Sequence, residues 1–434
     1  MTALISAHSY LGDLQELEGR TPLLEPGSTY QLPMLPVDDA LVCPGDFFPL
    51  RINDPRLRQI VSKAMQAPLP LSRLIALIMT NHREEPFHFG GAHLSFSTIA
   101  CTVEIIKQSA DGQTLLTQGR QKCEIDFQNS PQPLDFQRIS MHVIPDTLPR
   151  PLPFSADPNQ AAFPRFVYRS VDAVTLAKTA RNLFIEKFSI GCTPHGEGEG
   201  ERSTSTRKVD ICEGSDPIQL SYWLVGNLPF NPSQRRSLFQ EESVIDRLSK
   251  EIDLIKEMES IYCRDCGLCI AGIDALIEMN DEGVGGHYVN SHGALHDMLS
   301  LKNARARIVS EPEIDNSWFP GYAWQIAYCP GCREHLGWYF TSVDDTQGNP
   351  NGERREAIRG LVGRREGDGN YLPDSFFGLR TAALDNKLRS NSWVVAMGEN
   401  FQRRFIEGTS DEDEEEEGSE EWETDTGSDD LLNE

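Results

Sequence analysis

Four cysteines in two short pairs, Cys263-Arg-Asp-Cys266 and Cys329-Pro-Gly-Cys332, are the residues best spaced to do chemistry in this sequence. Two CxxC turns can place four thiolates around one ion, the closed tetrahedral shell of a structural zinc site. The 62 residues between the pairs exceed a zinc-finger loop, so a shared ion would clamp two strand turns far apart in sequence. Cys269 extends the first run to CRDCGLC and offers Cys266 with Cys269 as an alternative pair. A redox role is the weaker rival, because two CxxC motifs joining one fold point to a metal. A four-sulfur shell has no open position for water, so the ion would be structural. Cys192, His195 and Cys212 fall in a polar, glycine-rich loop and are read as coincidence.

The second cysteine pair sits inside WFPGYAWQIAYCPGCREHLGWYF, residues 318–340, which holds three of the six tryptophans. A CPGC turn predicts two antiparallel strands, 321–328 and 335–341. An uninterrupted register about that turn pairs Trp324 with Trp338, Tyr322 with Phe340 and Ile326 with Leu336. Trp324 and Trp338 then share one sheet face. Trp318, just before a Pro320-Gly321 bend, can fold back over them. Three indoles brought together this way make either a core cluster or an open cage. A metal already anchoring the hairpin reduces the need for an aromatic core. Polar groups also lie close by in sequence, in Asn290-Ser291-His292 and Asp315-Asn316-Ser317. A cage suits a small flat ligand, either a quaternary ammonium held by cation–π attraction or a neutral ring whose N–H is flanked by carbonyls.

The elements that must position these residues are legible from their punctuation. Residues 1–27 carry no clear pattern and are expected to be disordered. From 28 to 148, short apolar runs broken by Pro, Asp-Asp, Pro-Gly and an Asp111-Gly112 turn predict a mainly β subdomain. Asp54-Pro55 predicts a helix start, with Asp as cap and Pro at the first position. Residues 146–164 are proline-rich. A helical part spans about 163–262, with starts at Asp216-Pro217 and Asn231-Pro232, the second opening one long segment that reaches Tyr262. In that segment Leu238, Val244, Ile245, Leu248, Ile252, Ile255 and Met258 recur at three- to four-residue spacing, one apolar stripe that packs on its own subdomain. Residues 263–390 form a β-rich unit with a polar insertion at about 342–374. The end, 391–434, is an acidic and disordered tail.

Composition limits the function. The chain of 434 residues carries a net charge of −26, with 14 acidic residues and no Lys or Arg from Asp411 onward. The remaining −12 argues against nucleic-acid binding, which needs a basic face. No apolar stretch approaches the ~20 residues of a membrane span, and the N-terminus has no secretory pattern. Ten cysteines are too sparse for a disulfide scaffold, so the expected compartment is cytoplasm and nucleus. The sequence has no phosphate-binding GxxxxGK[ST], no GxSxG and no HExxH. Nothing in it pairs a nucleophile with a base, so it is read as non-catalytic.

HYVNSHGALHDML, SWFPGYAWQIAYCPGCREHLGWYF and SFFGLRTAAL, led by CRDC, resemble the CULT domain of the cereblon family over about 263–390. Upstream, LPMLPVDDALVCPGDFFPLRI and SDPIQLSYWLVGNLPF resemble a Lon N-terminal domain, the order found in that family. The resemblance implies an α+β chain: a Lon-like domain at 28–262, then a zinc-bound β-tent with a tri-tryptophan pocket. It implies a receptor in a cullin-4 ubiquitin ligase that binds glutarimide-type small molecules and C-terminal cyclic imides of proteins. Carried over, Trp318, Trp324 and Trp338 are the cage walls and Phe340 its base. Asn290 and His292 lie on the loop that closes over the ligand. Backbone near Asn316 accepts the imide N–H, and Trp318 backbone contacts a carbonyl. Cys263, Cys266, Cys329 and Cys332 hold a structural Zn2+, which decides between the two cysteine pairings. The sequence departs from the family at Asn316, usually His, and at Ser291, usually Pro. Most of the helical insert that meets the β-propeller adaptor of the ligase is absent, 146–164 standing in its place. A stand-alone imide-binding protein is therefore the alternative, and an enzyme acting on a caged ring a weaker third.

Overall fold

The computed structural model describes residues 7–38, 40–80, 99–126, 138–146, 148, 167, 170–188, 216–343 and 373–387. Nearly all of the proline-rich segment, the loop with Cys192, His195 and Cys212, most of the 342–374 insertion and the acidic tail lie outside these residues.

The first half is built on one sheet. Its strands are β1 (Leu14–Glu16), β2 (Thr29–Leu32), β3 (Met34–Asp38), β4 (Phe47–Arg51), β5 (Leu74–Thr80), β6 (Ile99–Ser109), β7 (Thr114–Ile125) and β8 (Ile139–Val143). The order is β2-β8-β7-β6-β5-β3, with β1 on β6 and β4 on β7. Only β3 and β5 pair in parallel among the described strands. The β6–β7 hairpin turns at Asp111-Gly112, as the sequence predicts. Gly112 supplies a positive φ of 67°, and the Asp111 carboxylate accepts from Gln113 N–H at 3.0 Å.

The helices start where their caps predict. α1 (Pro55–Gln66) has Asp54 accepting from Arg56 N–H. α2 spans Ala173–Phe188, and α3 (Pro217–Asn227) has Asp216 accepting from Ile218 N–H. α4 (Pro232–Gln240) begins in a reciprocal capping box between Asn231 and Gln234. The expected single helix reaching Tyr262 does not form. The chain breaks at Glu241, restarts as α5 (Val244–Glu257) under a Ser243 cap, and enters a strand at Ser260. The apolar spacing continues across the break because both helices bury the same side. Leu238, Val244, Leu248, Ile252, Ile255 and Met258 are all buried in the main core, each contributing about 1.5–3 kcal/mol.

Residues 7–27 correct the expectation of disorder. Ser9–Leu11 forms a 3-10 turn, and Leu14, Gln15 and Glu16 pair with Ser109, Gln108 and Lys107. The fully buried Glu104 carboxylate accepts from Thr21 N–H at 2.7 Å and lies 3.2–3.7 Å from Arg73, Arg120 and Arg20. Polar contacts and single apolar anchors such as Leu24 hold this segment, so apolar periodicity gives no sign of it.

The second half has two antiparallel sheets. β9 (Ser260–Cys263), β10 (Cys269–Gly272) and β17 (Leu384–Asp385) form the smaller, in the order β10-β9-β17. The larger contains β11 (Gly285–Val289), β12 (Leu295–Leu301), β13 (Arg307–Ile308), β14 (Tyr322–Tyr328), β15 (His335–Ser342) and β16 (Ser375–Arg380). Its order is β11-β12-β16-β15-β14-β13. The two halves share one core, in which Leu220, Leu248 and Ile255 join Ile261, Leu299 and Leu379.

A buried polar network crosses the same seam. Asp297 on β12 accepts from Arg235 Nη1 at 2.9 Å and from Leu41 N–H at 3.3 Å, and pairs with His287 Nδ1 on β11. His287 Nε2 also lies 3.6 Å from Asp46 Oδ2 in the first half. Burial alone would lower the His287 imidazole, but Asp297 and then Asp46 reverse this and raise it to about 10. Asp297 is buried as well, yet His287 and then Arg235 hold it below the usual carboxylate range. Removing this carboxylate strands two buried cations. Asp297→Ala is expected to cost about 3–5 kcal/mol, read by chemical denaturation. The imidazolium is favoured by folding, so its contribution is complete below pH 6.5 and fades as pH rises towards about 10. The stability difference between the native chain and His287→Gln is therefore expected to shrink over that window; a pH-independent difference would contradict it.

Candidate functional site

β9 and β14 end at the two CxxC turns, so the second half's two sheets deliver their cysteines to one place. The Sγ atoms of Cys263, Cys266, Cys329 and Cys332 all lie within 4.8 Å of one another. Cys263 with Cys332, and Cys266 with Cys329, are each 3.6 Å apart. A tetrahedral shell with metal–sulfur bonds of ~2.3 Å has sulfur–sulfur edges of about 3.8 Å, so these four residues can hold one metal ion. Hydrogen bonding within the tetrad lowers the Cys329 thiol and raises that of Cys263. Cys269 is exposed, outside the cluster, and its Sγ is directed to Ala271 O.

From the second turn the β14–β15 hairpin carries the aromatic residues, in a register different from the expected one. Tyr328 pairs with His335, one residue off the assumed centre, and a bulge at Leu336 adds another offset. Trp324 therefore faces Phe340 across the ladder, Ile326 faces Trp338, and Tyr322 faces Ser342. Each one-residue slip alone would send a strand's side chains to the opposite face. Together they restore the parity, and Trp324, Trp338 and Phe340 share one face. β16 packs closely beside this bulge. Gly337 has φ 148°, and a Cβ there would fall 2.2 Å from Gly378 O.

Trp318 is buried, its indole N–H donating to Val289 O at 3.0 Å. It meets Trp338 edge to face at 4.7 Å and 81°. Trp324, diagonal to Trp338, donates to Asp315 O at 2.9 Å. Both Trp324 and Trp338 are half-buried. Phe340 is 1% exposed and stacks on Phe376 at 4.9 Å and 12°. The group is thus a buried aromatic floor with two accessible indoles at its rim. Neither a closed core nor a free surface patch describes it.

The polar residues read from the sequence follow Val289 and Asp315, the residues whose carbonyls accept from Trp318 and Trp324. Asn290 Oδ1 accepts from His292 N–H at 3.0 Å and Ala294 N–H at 2.8 Å, so that oxygen closes the 290–294 loop. His292 is exposed on that loop, and Ser291 O accepts from Asn53 Nδ2 of the first half at 3.3 Å. Asn316 is exposed with φ 59°. Asn is enriched in that left-handed region, so it suits the turn.

Sequence reasoning missed several neighbours. His296 on β12 lies 5.4 Å from Trp318 and 5.0 Å from Trp338. Burial first, then Arg380 and His335, lower its imidazole to about 4, so it is neutral beside the indoles. Its alternation with Met298 and Ser300 was the available signal. Gly378 leaves room for the floor, since a Cβ would meet Phe340 Cε2 at 3.0 Å. Tyr10, from the segment expected to be disordered, accepts from Val289 N–H at 2.9 Å, behind the carbonyl that holds Trp318.

The three indoles are unequal, and substitution exposes this. Trp318→Ala is expected to destabilise the chain by about 3–5 kcal/mol, whereas half-buried Trp324→Ala should shift Tm by only a few degrees. Equal losses in a thermal melt would mean that all three belong to a closed core. Cys329→Ser is expected to abolish metal retention and melt the second half first, measured by metal analysis beside circular dichroism.

The model of the family described as the ATP-dependent protease La (LON) substrate-binding domain matches residues 31–257. Cereblon of Gallus gallus is 26% identical over 366 residues, 79% of this chain and 80% of that protein. Cereblon of Xenopus tropicalis is 27% identical over 367 residues, with the same coverage of both chains. Cereblon of Drosophila grimshawi is 40% identical over 131 residues, 30% of this chain and 20% of that one. Among the described residues, no helix is long and apolar enough to cross a membrane.

Proposed function

This chain belongs to the family of the Lon substrate-binding domain and to the cereblon family, and from that membership we propose that it is a substrate receptor of a cullin-4 ubiquitin ligase. Its aromatic cage takes the cyclic imide at the C-terminus of a substrate protein, or a glutarimide-type small molecule. Its first half docks the β-propeller adaptor, in cytoplasm and nucleus, and the bound protein is passed on for ubiquitination and degradation. The chain is a receptor and performs no chemistry on the ring.

The observation that supports this reading best is the pair of half-buried indoles, Trp324 and Trp338, above a buried Trp318 and Phe340. A flat neutral ring covers indole faces without losing the solvation of a charge. Its N–H and carbonyls remain at the rim, where backbone near Asn316 and Trp318 supplies partners. A Zn2+ ion on Cys263, Cys266, Cys329 and Cys332 acts structurally, fixing the turn between the two strands that carry the indoles.

Titration calorimetry with a glutarimide tests the cage. The native chain is expected to bind, and Trp324→Ala to bind at least about ten-fold more weakly with its fold retained. Co-elution with the propeller adaptor in size exclusion tests the ligase connection. A stable complex supports the receptor. Two separate peaks, with imide binding intact, favour a stand-alone imide-binding protein, the reading suggested by the short 146–164 segment.

A further inference from the structure

The edge of the cage sheet offers a surface that the cage itself does not use. β13 is the outermost strand, and the chain from it towards the cage, residues 307–316, follows the side of β14 away from β15. Ile308 sits opposite Ala327, and Val309 N–H donates to Ile326 O at 3.2 Å. Glu313 and Trp324 exchange both backbone bonds, at 2.9 and 2.8 Å. The strip thus ends against a cage wall, and Ile308 lies about 10 Å back along it, three residues of β14 at ~3.4 Å each.

Every residue from 307 to 316 except Ser310 is exposed. Ile308, Val309 and Ile314 are 37%, 51% and 44% exposed, grouped on one short stretch that the core does not cover. The charges are ordered along it. Glu311, Glu313 and Asp315 lie nearest the cage, Ile308 and Val309 come next, and Arg307 lies beyond. An edge strand presents backbone groups that a second extended chain can pair with.

We propose that this strip docks the polypeptide immediately upstream of a caged C-terminal imide, favouring chains with Lys or Arg next to the ring and aliphatic residues two to four positions further back. This rests on the imide reading of the cage. A ring held between the indoles fixes one end of the substrate, and on the Trp324 side the rim is Ile314 with three carboxylates. An extended chain advances ~3.4 Å per residue. Its first side chains meet Glu311, Glu313 and Asp315, and its next ones reach Val309, which alternates with Ile308 and so falls on the cage side of the strip. Acidic residues at the first positions meet like charge.

Two synthetic peptides with the same C-terminal glutarimide-type ring test this. One carries Lys-Lys beside the ring and Val-Ile before it; the other carries Glu-Glu and Ser-Ser. Fluorescence anisotropy with the full chain at low salt is expected to show the basic peptide binding about five-fold tighter or more, the size of two exposed ion pairs. The preference should narrow at high salt. Glu311→Lys should reduce it and Val309→Ser should weaken the basic peptide, both with free glutarimide affinity unchanged. Equal affinities of the two peptides at low salt, or a preference untouched by Glu311→Lys, overturn the docking strip and leave the cage standing. Absence of free glutarimide binding instead removes the cage reading, and the strip with it.

Discussion

The convergence of four cysteine sulfurs within 4.8 Å is the constraint on which the second half depends. It joins the turn after β9 to the turn between β14 and β15, which are 62 residues apart in the chain. Without a common partner, four thiols packed so closely gain little from one another. With a metal, each contributes a strong bond, and the hairpin that carries Trp324 and Trp338 is fixed at its turn. The indoles can then remain half-buried, because the hairpin does not need their full burial for its stability.

The remaining supports act from outside the hairpin. β16 inserts beside β15, where Gly337 leaves room for the Gly378 carbonyl and Gly378 leaves room for Phe340. Tyr288 and Phe319 pack beneath Trp318, and Tyr10 reaches in from the start of the chain. The seam network of Asp46, His287, Asp297 and Arg235 holds β11 and β12 against the first half, and the same two strands carry Val289 and His296 to the aromatic group. The accessible aromatic group is therefore supported by both halves, although all its walls come from one.

Much of this was legible in the sequence, and the failures have physical causes. Asp-Pro and Asn-Pro starts marked helices because a cap and a proline act locally. The cysteine pairs and the shared face of Trp324 and Trp338 were legible because both follow from local periodicity. The register was not, because the bulge at Leu336 has no local signal; the close contact beside it, Gly337 against Gly378, spans 41 residues of sequence. The break before α5 was hidden by an apolar stripe that continues across it. Residues 7–27 and the seam network escaped because single polar contacts such as Thr21 to Glu104 or Arg235 to Asp297 leave no repeat to detect.

The sheet order has a consequence in time as well as in space. β16 is synthesised after every other strand of the larger sheet, yet it lies between β12 and β15 near the middle. β17, later still, pairs with β9, the first strand of this half. On the ribosome, the β14–β15 hairpin and all four cysteines are therefore made before the strand that unites them with β11 and β12. At roughly 5–20 residues per second, the gap from Cys332 to Ser375 lasts on the order of a few seconds. During that interval the nascent thiols and indoles are open to metal, oxidant and chaperone alike.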